Sequence, residues 1–131
     1  MARRLSLTLL PDGLAVCRLE AQAPLPDWAT SAPWFSMTRT PDELSIVCAE
    51  SRVPEGIVAS RGWRALRFAG PLPLDQTGIL ASVTGPLAAA RVSVFALATY
   101  DTDYVLIPAA QQAAAIEALE RAGHRVGSPG Y

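Results

Sequence analysis

The chain has 131 residues, half of them hydrophobic, enough for one ordinary domain or two very small ones with a buried core. Eleven basic and twelve acidic residues leave a net charge of −1 with no run of like charge, which argues against a nucleic-acid or membrane-surface partner. All eleven basic residues are Arg, and without a Lys amine Schiff-base chemistry is excluded.

The opening "MARRL" carries two positive charges, but the apolar run after it is cut at Pro11-Asp12, so it reads as a first strand and not as a signal peptide. Leu5–Leu10 and Leu14–Leu19 flank the turn Pro11-Asp12-Gly13, which predicts a hairpin. The Pro-rich crossing "QAPLPDWATSAP" has room for one short helical turn. Phe35–Arg39 and Glu43–Ala49 alternate like strands, and "RVPEGIVAS" reads as turn. Cys17 and Cys48 sit among apolar residues with no CxxC, so they are expected as small buried hydrophobes. From Trp63 the pattern sharpens: "WRALRFAG" alternates, "GPLPLDQTG" is a loop, and "ILASVTGPLAAARV" places Ile79, Leu80, Val83 and Leu87 at helical spacing. Gly85-Pro86 within that run should bend or loosen the helix. "SVFALAT" and "YVLIPA" are strands about Asp101-Thr102-Asp103, and "AAQQAAAIEALERAG" is the best helix, with Ile116 and Leu119 inward and Gly123 at its C-terminal stop. His124–Val126 closes as a last short strand. No segment approaches the roughly 20 apolar residues of a membrane span, and a soluble cytoplasmic protein is expected.

Strand, helix, strand, strand, helix, strand is the α+β, ferredoxin-like βαββαβ pattern: an antiparallel four-stranded sheet with two helices on one face. The pattern by itself names no function.

The words "GPLPLDQTGILASVTGPLAAARVSVFALATYDTDYVLI" (Gly70–Ile107), extended upstream by "DELSIVCAE" and "RGWRALRFAGPL", carry a resemblance to the ACT domain, a small amino-acid-binding regulatory module. More narrowly, the chain resembles short bacterial tandem-ACT proteins related to the animal cytosolic arginine sensors called CASTOR. The resemblance implies two ACT-like units, a degenerate one over 1–61 and an ACT domain over 62–131. It also implies a non-catalytic sensor with no cofactor, holding its ligand between the first strand–helix loop of one unit and a strand of a neighbour. Carried onto this sequence, the loop is Asp75, Gln76, Thr77, Gly78 and Ile79; the facing strand and turn are Ser93, Val94, Thr99, Tyr100, Asp101 and Asp103. Gln76 falls where the arginine sensors carry an acidic residue, one negative charge fewer.

Elementary chemistry fits that reading. An amino acid presents a carboxylate beside an ammonium, so its receptor needs donors beside acceptors. Backbone N–H groups at the start of the helix after Thr77 suit the carboxylate, Gly78 lets the backbone approach, and Asp101 or Asp103 suits a cationic group. A homodimer through the strand Val92–Thr99 would cover an exposed edge and make two equivalent sites.

Plainer readings stand beside these. Asp101-Thr102-Asp103 also suits a tight turn; a metal lacks a ligand set, since one lone His stands elsewhere; a catalytic carboxylate pair lacks groups pushed to different pKa values. Thr77-Gly78 also suits a cap, and neither a phosphate loop nor a G-x-S-x-G elbow is present. His124 reads as structural or solvent-facing, and Trp28, Trp34 and Trp63 read as core or interface anchors. The alternative to a sensor is a structural or protein-interaction ACT module with a vestigial pocket.

Overall fold

The computed structural model describes residues 4–72 and 75–127; Met1–Arg3 of the expected first strand's approach, and Pro73 and Leu74 of the expected loop, lie outside them. The chain forms two compact units, one of Asp12–Trp63 and one of the residues up to Pro11 together with those from Arg64 onward. The expected 1–61 and 62–131 division thus meets a discontinuous arrangement: a segment from the start of the chain belongs with the C-terminal residues.

That segment is β1 (Ser6–Leu9). It does not form the expected hairpin with β2 (Leu14–Leu19). β1 runs antiparallel to the end of β5 (Val58–Phe68), with Leu7 opposite Phe68 and Leu9 opposite Leu66. On its other side it runs parallel to β8 (Arg125–Gly127), with Leu7 opposite Val126. Leu7 and Leu9 are buried in the core, and a strand flanked on both sides satisfies its backbone groups as well as its apolar ones. The order in this unit is β6 (Phe95–Ala98), β7 (Asp103–Pro108), β5, β1, β8. It is the ferredoxin-like order with β1 entered between the first and last strands of the pattern.

Two helices supply the rest of the core. α2 (Ile79–Ala89) buries Ile79, Val83 and Leu87, each four residues from the next. Leu80 falls off that face and is 38% exposed. α3 (Gln112–Arg121) buries Ala115 and Leu119, with Ile116 half-buried at the margin. These pack with Leu66, Phe68, Val105 and Ile107 from the sheet. α3 ends as expected at Gly123, whose φ of 98° only glycine adopts freely. The His124 N–H reaches Leu119 O and the Gly123 N–H reaches Glu120 O, the paired bonds that close a helix C-terminus.

His124 is structural, and the reason lies in α2. Pro86 has no N–H to give Ser82 O, its acceptor four residues back. His124 Nε2 stands 2.8 Å from that carbonyl, while its Nδ1 accepts the Leu5 N–H at 3.0 Å. An acceptor at Nδ1 fixes the tautomer, so Nε2 carries the proton and donates it to Ser82 O.

The other unit orders its strands β3 (Phe35–Arg39), β4 (Leu44–Ala49), β2 and the start of β5. β5 begins at Val58, before the expected Trp63, and pairs Val58 with Arg18 and Ala59 with Cys17. The pairing is irregular between Leu14 and Val16, beside Gly62 with φ of 82°, a bulge that disguises the strand's alternation. One four-residue helix, α1 (Asp27–Thr30), buries Ala29 beside Ile46, Cys17 and Cys48. Both cysteines are buried and free, and Trp28 packs against the same cluster. The hydrogen bond between the two thiols lowers Cys17, against its burial; the same bond and burial push Cys48 far up.

Candidate functional site

The turn between β6 and β7 is built by two threonines. The Thr99 N–H donates to Thr102 O at 2.8 Å, and Thr99 Oγ1 accepts the Thr102 N–H at 3.2 Å. This leaves Tyr100 and Asp101 at the tip, with Tyr100 81% exposed. Thr102 points the other way. It is 9% exposed, and its hydroxyl donates to Phe68 O at 2.8 Å. The Leu72 N–H donates to Asp101 O at 2.7 Å, tying the turn to the segment after β5. A side chain at Gly70 would lie 3.0 Å from Thr102 Cβ and 3.1 Å from Asp101 O, so glycine is needed there for close approach. The middle of Asp101-Thr102-Asp103 is therefore an anchor, and the flanking acids are held on either side of it.

Two cavities flank this turn. The smaller, of about 190 Å³, is lined by Gln76 and Ile79 at the start of α2, by Ala98, Thr99, Tyr100, Thr102 and Asp103 of the turn and its strands, and by Leu72. Asp103 is half-buried at the first position of β7, paired with Ala98. Across from it α2 begins at Gly78, whose φ of 80° turns the chain into the helix. The first intrahelical donor is the Ser82 N–H to Gly78 O. The N–H groups of Ile79, Leu80 and Ala81 precede it, without helical acceptors. The first turn holds no acidic residue, so the helix's positive end is not neutralised from within. One cavity is thus lined both by Ile79 of that first turn and by Asp103.

Of the residues expected from sequence, Gln76, Ile79, Thr99, Tyr100 and Asp103 meet in this cavity. Asp75, Thr77 and Gly78 are exposed in the approach to α2. Asp101 lines the larger cavity instead, of about 360 Å³, with Arg67, Gly70, Thr99, Thr102 and Tyr104. Ser93 and Val94 stand apart from both: the Ser93 N–H donates to Gln111 Oε1 at 3.2 Å, and Val94 packs on the core. Sequence reasoning missed Leu72, Ala98, Thr102 and Arg67. Thr102 had a signal, a hydroxyl between two acids at a tight turn; Arg67 had none beyond its place in an alternating strand. Among the described residues, no three His, Cys, Asp or Glu side chains are placed to hold a metal ion, and no helix is long and apolar enough to cross a membrane.

The chain is similar in sequence and fold to known proteins. The ACT-domain family model matches residues 58–121, and a model of an N-terminal domain matches residues 12–56. The cytosolic arginine sensor for mTORC1 subunit 1 of Rattus norvegicus is 34% identical over 101 residues, 71% of this chain and 30% of that protein. The Homo sapiens protein of that name is 33% identical over 100 residues. The chain therefore spans about 30% of the length of these relatives. A crystal structure of an Agrobacterium tumefaciens protein superposes with a TM-score of 0.91 at 35% identity, covering 99% of this chain and 96% of that one. The regulatory subunit of aspartate kinase from Thermus thermophilus shares the fold, with a TM-score of 0.56 at 14% identity over 85% of this chain and 93% of that one.

Proposed function

The chain belongs to the ACT-domain family, related to the cytosolic arginine sensors, and on that premise we propose that it is a non-catalytic cytoplasmic regulator that binds a free amino acid. The observation that carries the reading is the smaller cavity, where the open N-terminus of α2 faces Asp103. A ligand carboxylate suits the backbone donors, and an ammonium or cationic side chain suits Asp103. Gln76 and Thr99 add neutral polar contacts, and Leu72 and Ile79 an apolar wall. The name of the sequence relatives, a cytosolic arginine sensor, agrees with a regulatory role.

The smaller cavity's roughly 190 Å³ falls below the roughly 300 Å³ at which small-molecule sites usually begin. Half a site is what an interface supplies. β6 pairs only with β7 among the described strands, so its outer edge is open to a second copy. In a homodimer joined along residues 92–99, Ser93 and Val94 of one chain would approach the Asp103 cavity of the other, and the twofold would make two equivalent sites.

Calorimetric titration of protein refolded from denaturant, so that no carried ligand remains, tests this directly. The reading expects one amino acid to bind once per chain in a dimer by sedimentation, and binding to vanish in Asp103→Ala. A well-folded dimer that binds none of the twenty contradicts it and favours a protein-interaction module with a vestigial pocket.

A further inference from the structure

The larger cavity, on the other side of the turn, has its own chemistry. Leu66 and Phe68 of β5 are fully buried toward the helices, so Arg67 between them points to the opposite face of the strand. Arg67 is half-buried, and its Nε is sealed from solvent without a hydrogen-bond partner among the described residues. Arg64 Nε, on the same strand, is likewise buried without a partner, but the terminal nitrogens of Arg64 donate to Gln112 Oε1 at 3.0 Å and Leu10 O at 2.8 Å. No such bond or ion pair engages Arg67 among the described residues. A buried Nε–H without an acceptor is costly unless something takes it, while the terminal nitrogens of Arg67 are not sealed from solvent.

The same cavity holds Asp101, an exposed carboxylate at the turn's tip. Arg67 and Asp101 give it one positive and one negative group. A dicarboxylate would be repelled by Asp101 and a diamine by Arg67, whereas a zwitterion satisfies both. The volume of about 360 Å³ lies within the roughly 300–1,000 Å³ of small-molecule sites. We propose that this cavity is a second, separate amino-acid site, in which Arg67 takes the carboxylate, through the planar fork that suits it, and Asp101 takes the ammonium. It goes beyond the reading at Asp103 and does not depend on it, although Thr99 and Thr102 line both cavities.

The side-chain Nε–H of Arg67 gives its own cross-peak in a ¹H–¹⁵N spectrum, assigned by its loss in Arg67→Gln. Each of the twenty amino acids at about 10 mM is the probe, with acetate and methylammonium as single-charge controls. The expected result is a saturable shift of that peak by at least one amino acid, about tenfold tighter than acetate. It should weaken about tenfold in Asp101→Asn and persist in Asp103→Ala. The Gly70 amide reports the same site in Arg67→Gln, where binding should be absent while the melting temperature is kept. An unmoved Arg67 peak with every amino acid overturns the proposal, as does acetate binding equally well, which would mark a simple anion site. Shifts confined to the Gly78 and Ile79 amides and lost in Asp103→Ala overturn this site and leave the other standing. Shifts confined to Arg67 and Gly70 do the reverse.

Discussion

His124→Ala, alone and together with Pro86→Ala, tests whether the histidine substitutes for a hydrogen bond that proline removes. His124 is 5% exposed, and it spends both ring nitrogens on backbone, the Leu5 N–H at 3.0 Å and Ser82 O at 2.8 Å. Truncation removes two bonds worth about 1 kcal/mol each and leaves two buried backbone groups unpaired, at about 1–3 kcal/mol apiece if nothing replaces the ring. Partial relaxation brings the expected cost to roughly 3–4 kcal/mol, or a fall in melting temperature on the order of 10–20 °C. With Ala at position 86 the helix regains an N–H that can donate to Ser82 O, so half the damage has a local remedy. The cost of His124→Ala should then shrink by about 1–2 kcal/mol, a coupling that additive sites do not show. Urea unfolding followed by circular dichroism on the four proteins of the cycle reads this, provided the slopes agree. Additivity within about 0.5 kcal/mol would refute the exchange of donors.

Three further predictions concern the turn, the helix start and the thiols. Thr102→Val removes the hydroxyl bonded to Phe68 O and should cost about 1–2 kcal/mol. Thr99→Val, on an exposed residue whose hydroxyl bonds only to the Thr102 backbone within the turn, should cost about half that or less; equal losses by urea unfolding would deny the anchor. Gly78→Ala meets no atom but must hold φ of 80°, so it should destabilise by about 1 kcal/mol. Gly85→Ala, in open space inside α2, should stabilise by roughly 0.5–1 kcal/mol, and melting temperatures moving the same way would contradict this. Iodoacetamide should label neither buried cysteine in the native protein and both in urea. Because folding raises the Cys48 thiol above its ordinary 9.0, its contribution is intact below that pH. Above it the unfolded chain sheds the proton first and stability falls. Urea titrations from pH 8 to about 10 should show that loss diminished when Cys17 and Cys48 are both replaced by Ala, since burial alone would still raise a lone Cys17.

Much of this fold was readable because its signals are local. β3 and β4 alternate, α2 buries every fourth residue, and Gly123 stops α3 where a left-handed residue is needed. The hairpin failed because Pro11-Asp12-Gly13 turns the chain equally well whether its strands pair with each other or with distant ones. Nothing near β1 in sequence announces β5 or β8. The start of β5 was hidden by the bulge beside Gly62. Gln76, Ile79, Thr99, Tyr100 and Asp103, drawn from two stretches of the sequence, line one cavity. The separation of Asp101 from Asp103 was not legible, because it depends on Thr102 turning inward to Phe68 O across 34 residues of chain. The service of His124 to Ser82, 42 residues away, was hidden for the same reason.

Amino-acid binding in the cavity between α2 and Asp103 is read by thermal melting of wild-type and Asp103→Ala protein against the twenty amino acids. At about 10 mM, a ligand with a dissociation constant near 0.1 mM adds roughly 2.7 kcal/mol. For a chain of this length that is a rise on the order of 5–15 °C. Such a rise is expected for a responder in the wild type, and its loss in a folded Asp103→Ala protein. A flat response across the panel with ligand-free protein, or an equal rise in both proteins, would contradict it.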